Sequence, residues 1–320
     1  MTKRLYQHIF MGAAILTTMA SCKHKELCYD HPHSTDVNVV FDWTKAPQAS
    51  PKSMALYLFP EKGGEALRYE FTDHKGGSIR VPTEKYKAVC LNSDTKNITY
   101  PDIRTQQTFY VSTPSTQLLA KMNLSEAAIA NAPRAEGTEK EPVHLAPDMI
   151  WTAHMEDIDL KNAKEPTITL YPEQSVSTCT VEIRNAKNLK YVNAISGTLS
   201  SMAAGLFPGK GSDALSEDRV TIPFEAKMTP DKGIIDGQLR MFGHCSSRQT
   251  QHSLIIYAVL ADASKWYHTY DVTDQVHNAP DQRNIHIVLD GLPIPKPLGD
   301  GSGFNPSVDN WHSVDVEIEM

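Results

Sequence analysis

The chain has 320 residues, with 31 lysines and arginines against 38 aspartates and glutamates, so its net charge is −7 at pH 7. Hydrophobic residues make up 40% of the sequence and aromatic residues 8%, which is typical of a globular protein and not of a disordered stalk. The acidic balance argues against a nucleic-acid partner, because phosphate binding requires a basic surface.

The N-terminus has the layout of a secretory signal peptide. Basic residues at positions 3 and 4 precede an apolar run over residues 9–20. That run is too short to cross a bilayer, because a spanning helix needs about 20 residues. It ends in Met-Ala-Ser directly before Cys22, which resembles the lipobox of bacterial lipoproteins, where the cysteine becomes the acylated first residue. Leucine is usual at the position of Met19, so a plain signal-peptidase cut nearby is the alternative. We predict a lipoprotein signal peptide over residues 1–21 and lipidation of Cys22.

Residues 22–36 are predicted to be a polar tether between the lipid and the first strand. Acylation at several points, for example by palmitate, would hold the protein stably on a membrane leaflet. His31 and His33, beside Asp30, could supply ligands to a metal ion, but Pro32 keeps that stretch extended. We therefore expect a tether there and no metal site.

Four further cysteines follow, namely Cys28, Cys90, Cys179 and Cys245. In an exported chain an even number allows disulfides, with three possible pairings or none. The spacing lacks the close Cys pairs of a structural zinc site. Cys90 and Cys179 lie in strand-like runs, where a cysteine is usually a small buried apolar residue.

Period-two alternation of β-branched and aromatic residues dominates the first half and predicts short strands. Gly-containing connections over residues 61–65 and 73–77 have hairpin length. Such spacing indicates a sandwich or barrel. The predicted strands cover residues 37–43, 54–60, 66–72, 78–82, 86–92 and 108–113.

Good helix formers over residues 117–131 then predict a short helix or helical loop. A further strand is predicted over residues 149–160. One face of it would carry Ile150, Thr152, His154, Glu156, Ile158 and Leu160. The polar, turn-rich residues after it predict a boundary that ends a first domain over residues 37–163.

The second half repeats the β pattern with longer strands and predicts a second all-β domain over residues 164–320. The predicted fold is therefore all-β, with two domains in tandem. The strand-like runs cover residues 167–186, 190–209, 219–228, 233–243, 253–262, 265–276, 284–292 and 313–320.

Motifs that would indicate catalysis are weak or missing. Residues 206–213 resemble a phosphate loop, but Gly205 stands too close to Lys210, and a hairpin turn explains the stretch better. Glu156 is predicted to face away from Asp157 and Asp159 on the strand, so paired carboxylates are not expected. Neither G-x-S-x-G nor H-E-x-x-H occurs. We predict no catalytic residues, no cofactor and no enzymatic activity.

The aromatic residues of the run over 265–276 are the candidate binding residues. Trp266 and Tyr270, with Tyr267 between them, could stack on sugars if they were exposed. The alternative is that Trp266, His268 and Tyr270 share a face that is simply core.

Five stretches together resemble a family of Bacteroidetes lipoproteins of unknown function that is grouped with fimbrillin-like proteins. They cover residues 22–33, 39–47, 54–60, 76–95 and 308–320. The resemblance implies two tandem transthyretin-like β-sandwich domains and an outer-membrane lipid anchor. It also implies fimbrial subunits as partners, since subunits of such fimbriae exchange a β-strand and a membrane-bound minor subunit caps the base. An open sheet edge presents unpaired backbone groups that a donated strand satisfies.

Two departures from that family pattern bear on the role. Polymerising subunits are generally cleaved after an arginine or lysine in the first domain, and Arg80, Lys85, Lys87 and Arg104 are candidates by residue type alone. We therefore predict an anchor or accessory subunit and not a stalk subunit. The acidic residues usual after the lipid cysteine of surface-displayed members are replaced by a basic stretch, so the periplasmic face is an alternative location. A glycan- or host-protein-binding lipoprotein without a polymer is the alternative function.

Overall fold

The computed structural model describes residues 33–161, 165–244, 250–297 and 310–314, so the predicted signal peptide and most of the predicted tether lie outside the described residues. Within these ranges the chain forms strands and two short helices, which confirms the predicted all-β fold. The strands are β1 (Ser34–Phe41), β2 (Met54–Pro60), β3 (Leu67–Phe71), β4 (Gly76–Pro82), β5 (Lys85–Asn92), β6 (Thr99–Asp102), β7 (Tyr110–Ser112), β8 (Trp151–Asp159), β9 (Thr167–Leu170), β10 (Glu173–Gln174), β11 (Ser177–Lys187), β12 (Val192–Ala203), β13 (Gly205–Leu206), β14 (Arg219–Thr229), β15 (Ile234–Met241), β16 (Ser253–Leu260), β17 (Lys265–Asp271), β18 (Asn284–Pro293) and β19 (Trp311–Ser313). The helices are α1 (Glu126–Ala130) and α2 (Thr273–His277).

The first half of the chain packs two sheets face to face. One sheet has the order β4-β1-β9 and the other the order β10-β8-β5-β2-β3. Alternate residues of β1 point between the sheets, and Val37, Val39 and Phe41 are at most 2% exposed. They pack against inward side chains of β2, β5 and β8, such as Leu56 and Cys90, and together these residues form the first core.

The strand β2 is buried on both faces. Leu56 and Leu58 belong to the first core, whereas Tyr57 and Phe59 pack on the opposite face against Phe109. A three-stranded sheet of order β13-β7-β6 covers that opposite face, and β13 comes from the second half of the chain. The residues between these layers form a second core that joins the two halves.

The second half forms one sheet of order β18-β11-β15-β14-β12-β16-β17-β19, folded over its own core. The sheet bends at β14, because this strand pairs with β12 along most of its length and with β15 only near its end. The ring of Phe224 lies at this corner. A Cβ built on Gly197 would lie 2.3 Å from that ring, and one built on Gly237 would lie 2.4 Å from it. The two glycines therefore make room for the ring.

Residues 167–174 pair with strands of the first half. The strand β9 lies parallel to β1, and β10 lies antiparallel to β8. The domain boundary predicted at residue 163 lies before these residues, because a polar stretch separates them from β8. The sheets of the first half nevertheless continue past that stretch, since β9 and β10 complete them.

The predicted face of residues 149–160 changes midway along β8. The β5–β8 register shifts between Tyr86 and Ala88, and Asp157 has φ +53°. Ile150 consequently belongs to the second core, whereas Ile158 and Leu160 belong to the first. The expectation that these three side chains share one face is wrong, because a β-bulge inserts one residue and inverts the alternation.

Helices play a small part in the described residues. Of the predicted helical stretch over residues 117–131, an α-helix forms only at α1, where Ser125 Oγ accepts a hydrogen bond from the Ala128 amide (3.1 Å). Neither α1 nor α2 has the length and apolar character that a bilayer-spanning helix requires.

Candidate functional site

The first strand completes its sheet from within the same chain. β1 pairs with β4 from Ser34 to Val40 and with β9 from Asn38 to Phe41. The amide of Phe41 also donates to the carbonyl of Lys75 (3.0 Å). The slot between β4 and β9 is therefore filled by a strand that begins within the last three residues of the predicted tether.

An uncovered sheet edge lies on β8, just past β10. The strand β10 covers β8 only at Trp151 and Thr152, and no described strand pairs with that side of β8 beyond Thr152. Backbone groups alternate sides along an antiparallel strand, and the Ile150 carbonyl accepts from the Ser175 amide on the β10 side. The N–H and C=O of His154 therefore point to the uncovered side. We call residues 153–155 the β8 edge.

A cleft of about 480 Å³ opens beside the β8 edge. Its walls come from β8, from the β9–β10 connection and from residues 210–214 of the second half. Tyr171 lies in this lining with 45% of its surface exposed, and the Lys45–Glu173 ion pair (2.7 Å) lies there too. The cleft thus combines an exposed aromatic ring, charges of both signs and a neighbouring strand edge.

Two other sheet edges are occupied. On β18 the side chain of Gln275 makes the two hydrogen bonds that a neighbouring strand would make with Val288. Its Oε1 accepts from the Val288 amide (2.8 Å), and its Nε2 donates to the Val288 carbonyl (3.1 Å). On β17 the edge is covered by β19, whose Trp311 donates to the carbonyl of Ala128 (2.9 Å). These devices protect the edges against further pairing.

The four predicted cleavage candidates lie in different settings. Arg80 lies on β4, and Lys85 and Lys87 lie on β5 between β2 and β8. Arg104 lies in a bend after β6 with its side chain 82% exposed and bonded to Asp102. Of the four, only Arg104 is outside a paired strand.

The acidic residues of β8 pair with lysines of β5. Glu156 lies 2.6 Å from Lys87, and Asp159 lies 3.9 Å from Lys85. The hydrogen bond lowers the pKa of Glu156 and raises the pKa of Lys87. The expectation that Glu156 and Asp159 face opposite sides is wrong, because the bulge between them restores both to the side that carries the lysines.

The candidate binding residues Trp266 and Tyr270 both pack against the core of the second half. The indole N–H of Trp266 donates to Ser264 Oγ (3.1 Å), and the Tyr270 hydroxyl donates to the Gly291 carbonyl (2.7 Å). Burial raises the pKa of Tyr270 above its ordinary value. Tyr267 packs in a different cluster, so the structure does not bring the three rings together in one exposed platform.

Two of the five cysteines lie in the described part of the chain. Cys90 and Cys179 are free and fully buried, and burial raises the pKa of each thiol to about 12. Cys22, the predicted lipidation site, lies outside the described residues together with Cys28 and Cys245.

The structure also brings together three side chains that the sequence analysis did not single out, His244, His252 and His277. His252 follows His244 by 8 residues and His277 follows His252 by 25, a spacing that matches no metal-binding motif, so only their tertiary placement shows the group.

Most of the chain is similar to known proteins of Bacteroides species. The curated protein named "Putative fimbrium anchoring subunit Fim4B" from Bacteroides ovatus is 22% identical over 296 residues, which cover 88% of this chain and 82% of that protein. A crystal structure of "a putative adhesin" from Bacteroides ovatus has a TM-score of 0.59 at 20% identity, covering 87% of this chain and 99% of the other. A crystal structure of "putative polysaccharide binding proteins (DUF1812)" from Bacteroides thetaiotaomicron has a TM-score of 0.50 at 12% identity, covering 79% and 90%.

At these identities the two crystal structures show a shared fold alone. The family model described as "Domain of unknown function (DUF5119)" matches residues 21–225, which is more than half of the chain. The chain therefore belongs to the DUF5119 family.

Proposed function

We propose that this protein is an accessory or anchoring subunit of a cell-surface fimbrial assembly, held on the outer membrane by lipid at Cys22. Its role in this proposal is structural and not catalytic. The similarity to a protein named as a fimbrium anchoring subunit supports the assembly. The observation that supports strand addition as its mechanism is the uncovered β8 edge beside the cleft.

Strand addition at the β8 edge follows from the chemistry of the backbone. Thr152 pairs with Glu173 at the end of the β10–β8 ladder, and the N–H and C=O of His154 are the next backbone groups of β8 on that side. An incoming strand could therefore form hydrogen bonds with His154 and continue the ladder that β10 begins. The bulge at Glu156 and Asp157 limits the regular pairing to a short strand. The cleft, with Tyr171 in its lining, then receives alternate side chains of the partner.

The position of β1 supports an anchoring role over a stalk role. A stalk subunit needs an empty slot for the strand of its neighbour, whereas β1 fills the slot between β4 and β9 with Val37, Val39 and Phe41 in the core. Removing β1 would require a cut between β1 and β2, and none of the four candidate residues lies there. In the proposed anchor no such cut occurs, and the chain that leads to the lipid stays part of the fold.

Membrane attachment is tested by Cys22→Ala in the native organism. We expect the variant to leave the membrane fraction and the fibres to detach from cells, because the acyl chains provide the anchorage. Cys28→Ala is the matched control and should leave both unchanged. If the Cys22→Ala protein stays in the membrane fraction and fibres stay attached, the anchoring proposal fails.

Strand addition is tested at the β8 edge by His154→Pro. Proline lacks the N–H that faces the uncovered side, and edge strands tolerate it because that N–H is not part of the ladder with β5. We expect at least a tenfold loss of fimbrial subunits recovered with the protein after mild crosslinking. His154→Ala, which keeps the N–H, should recover them as the wild type does. Equal recovery with both variants would show that β8 is not the docking edge.

A further inference from the structure

Three histidines from separate parts of the chain converge at one end of the eight-stranded sheet. His244 follows β15, His252 directly precedes β16 and His277 ends α2. One ring nitrogen of each lies within 4.8 Å of the others, and the ring centroids are 4.7 to 5.4 Å apart. His252 is fully buried and His244 is 8% exposed. We call these three residues the histidine cluster.

Two of the rings are held by backbone carbonyls. His252 Nδ1 lies 3.3 Å from the carbonyl oxygen of Ser200, and His277 Nε2 lies 3.0 Å from that of Thr250. A carbonyl oxygen can only accept, so the nitrogen facing it carries the ring proton. The other nitrogen of each neutral ring, His252 Nε2 or His277 Nδ1, is therefore left with a lone pair.

The third ring is held by a side-chain amide of fixed orientation. His244 Nε2 lies 2.7 Å from Gln282 Oε1. The Nε2 of Gln282 donates to the carbonyls of His277 and Ala279, both at 3.1 Å, so the amide oxygen is the atom that faces His244. His244 Nε2 consequently donates, and His244 Nδ1 carries the lone pair.

Two of these lone pairs have no donor in the described part of the chain. His244 Nδ1 and His252 Nε2 are buried without a hydrogen-bond partner there. Both rings are buried, and burial disfavours the charged imidazolium form. Neutral imidazoles whose second nitrogen is held by an oxygen are the arrangement found around protein-bound metals.

We propose that His244, His252 and His277 form a binding site for a divalent transition metal, with zinc as the expected ion. Imidazole nitrogens suit zinc, and three histidines leave a fourth position for water or another ligand. Bonds of about 2.1 Å at tetrahedral angles place the nitrogens about 3.4 Å apart. The possible ligand atoms lie within 4.8 Å of one another, so a bound ion would have to draw them together by up to about 1.4 Å. The cluster has no carboxylate, so it does not suit calcium or magnesium.

A metal there would tie three chain segments together. The end of β15, the start of β16 and the end of α2 belong to three different elements, and no disulfide joins them in the described residues. The ion would act as a structural crosslink of the second half. This site is separate from the β8 edge and does not depend on the proposed fimbrial role.

The test is a zinc measurement on the purified full chain. The protein is stripped with a chelator, equilibrated with zinc chloride, dialysed and analysed for bound metal by mass spectrometry. His277→Gln is the main variant, because His277 is only half-buried and glutamine keeps a donor toward the Thr250 carbonyl. His252→Gln is the second variant. His286→Gln, at an exposed histidine on β18, is the matched control.

We expect the wild type and His286→Gln to hold one more zinc per chain than His277→Gln, and zinc to raise their Tm but not that of His277→Gln. The affinity of His252→Gln should fall at least tenfold, and if that variant does not fold, His277→Gln decides. Zinc held by the N-terminal histidines would be the same in all variants, so the difference reports on the histidine cluster alone. Equal zinc content in the wild type and a folded His277→Gln protein, or no zinc in either, would overturn the proposal.

Discussion

The corner of the eight-stranded sheet offers a quantitative test of the packing. Gly197→Ala and Gly237→Ala would each place a methyl carbon 2.3 or 2.4 Å from the Phe224 ring, whereas carbon atoms attract best at about 3.5–4.0 Å. Both glycines lie in paired strands and approach the same ring, which is 6% exposed and has little free space. We expect each substitution to lower the free energy of unfolding by about 1–3 kcal/mol.

The same substitutions in a Phe224→Leu background separate this cause from others. Leucine lacks the ring atoms that the new methyl group would meet, so Gly197→Ala should then cost less than about 0.5 kcal/mol, and the cycle should give a coupling energy of about 1–2 kcal/mol. The assay is urea unfolding followed by circular dichroism, with Gly77→Ala as a control at a strand glycine where an added methyl group would lie 3.6 Å from the Phe71 ring, an ordinary contact distance. Equal costs of Gly197→Ala in both backgrounds would refute the argument from the ring.

Three further outcomes are expected. Cys90 and Cys179 should resist iodoacetamide at pH 8 in the folded protein and react after denaturation, as read by mass spectrometry, because burial disfavours their thiolates; rapid labelling of the folded chain would contradict this. Gln275→Ala should expose the edge of β18 and increase self-association on size-exclusion chromatography, and an unchanged elution profile would show that the edge is protected by other means. Tyr257→Phe should lower the free energy of unfolding by about 1–2 kcal/mol, since the buried hydroxyl donates to the Pro133 carbonyl (2.5 Å); a neutral effect in urea unfolding would show that the carbonyl finds water instead.

Period-two alternation predicted the strands well because it reports a local property of the chain. It could not predict that β2 is buried on both faces, since that burial comes from β7 and β13, which are distant in sequence. It also failed at Glu156 and Asp157, where one inserted residue inverts the faces of β8. No local signal marks that bulge, because both residues are polar and both suit an exposed strand.

The candidate sites show the same limit. The N-terminal histidines are close in sequence and were therefore visible as a candidate group, whereas His244, His252 and His277 meet only because the fold brings the end of β15, the start of β16 and the end of α2 together. The uncovered edge of β8 was equally hidden, since it depends on how short β10 is. A sequence without aligned relatives contains the residues of such sites but not their distances.

The parallel pairing of β1 with β9 has a mechanical consequence. A pull between the N-terminal tether and the second half of the chain would enter β1 at Ser34 and leave β9 at Leu170, from which the chain continues to the second half. In a parallel pair the start of one strand and the end of the other lie at opposite ends, so a pull between them acts along the strands. The pairs from Asn38–Thr167 to Phe41–Leu170 are then loaded in shear and share the force, whereas an antiparallel arrangement pulled in the same way would open one pair at a time. The N-terminal strand thus resists extraction by a pull between the tether and the second half of the chain.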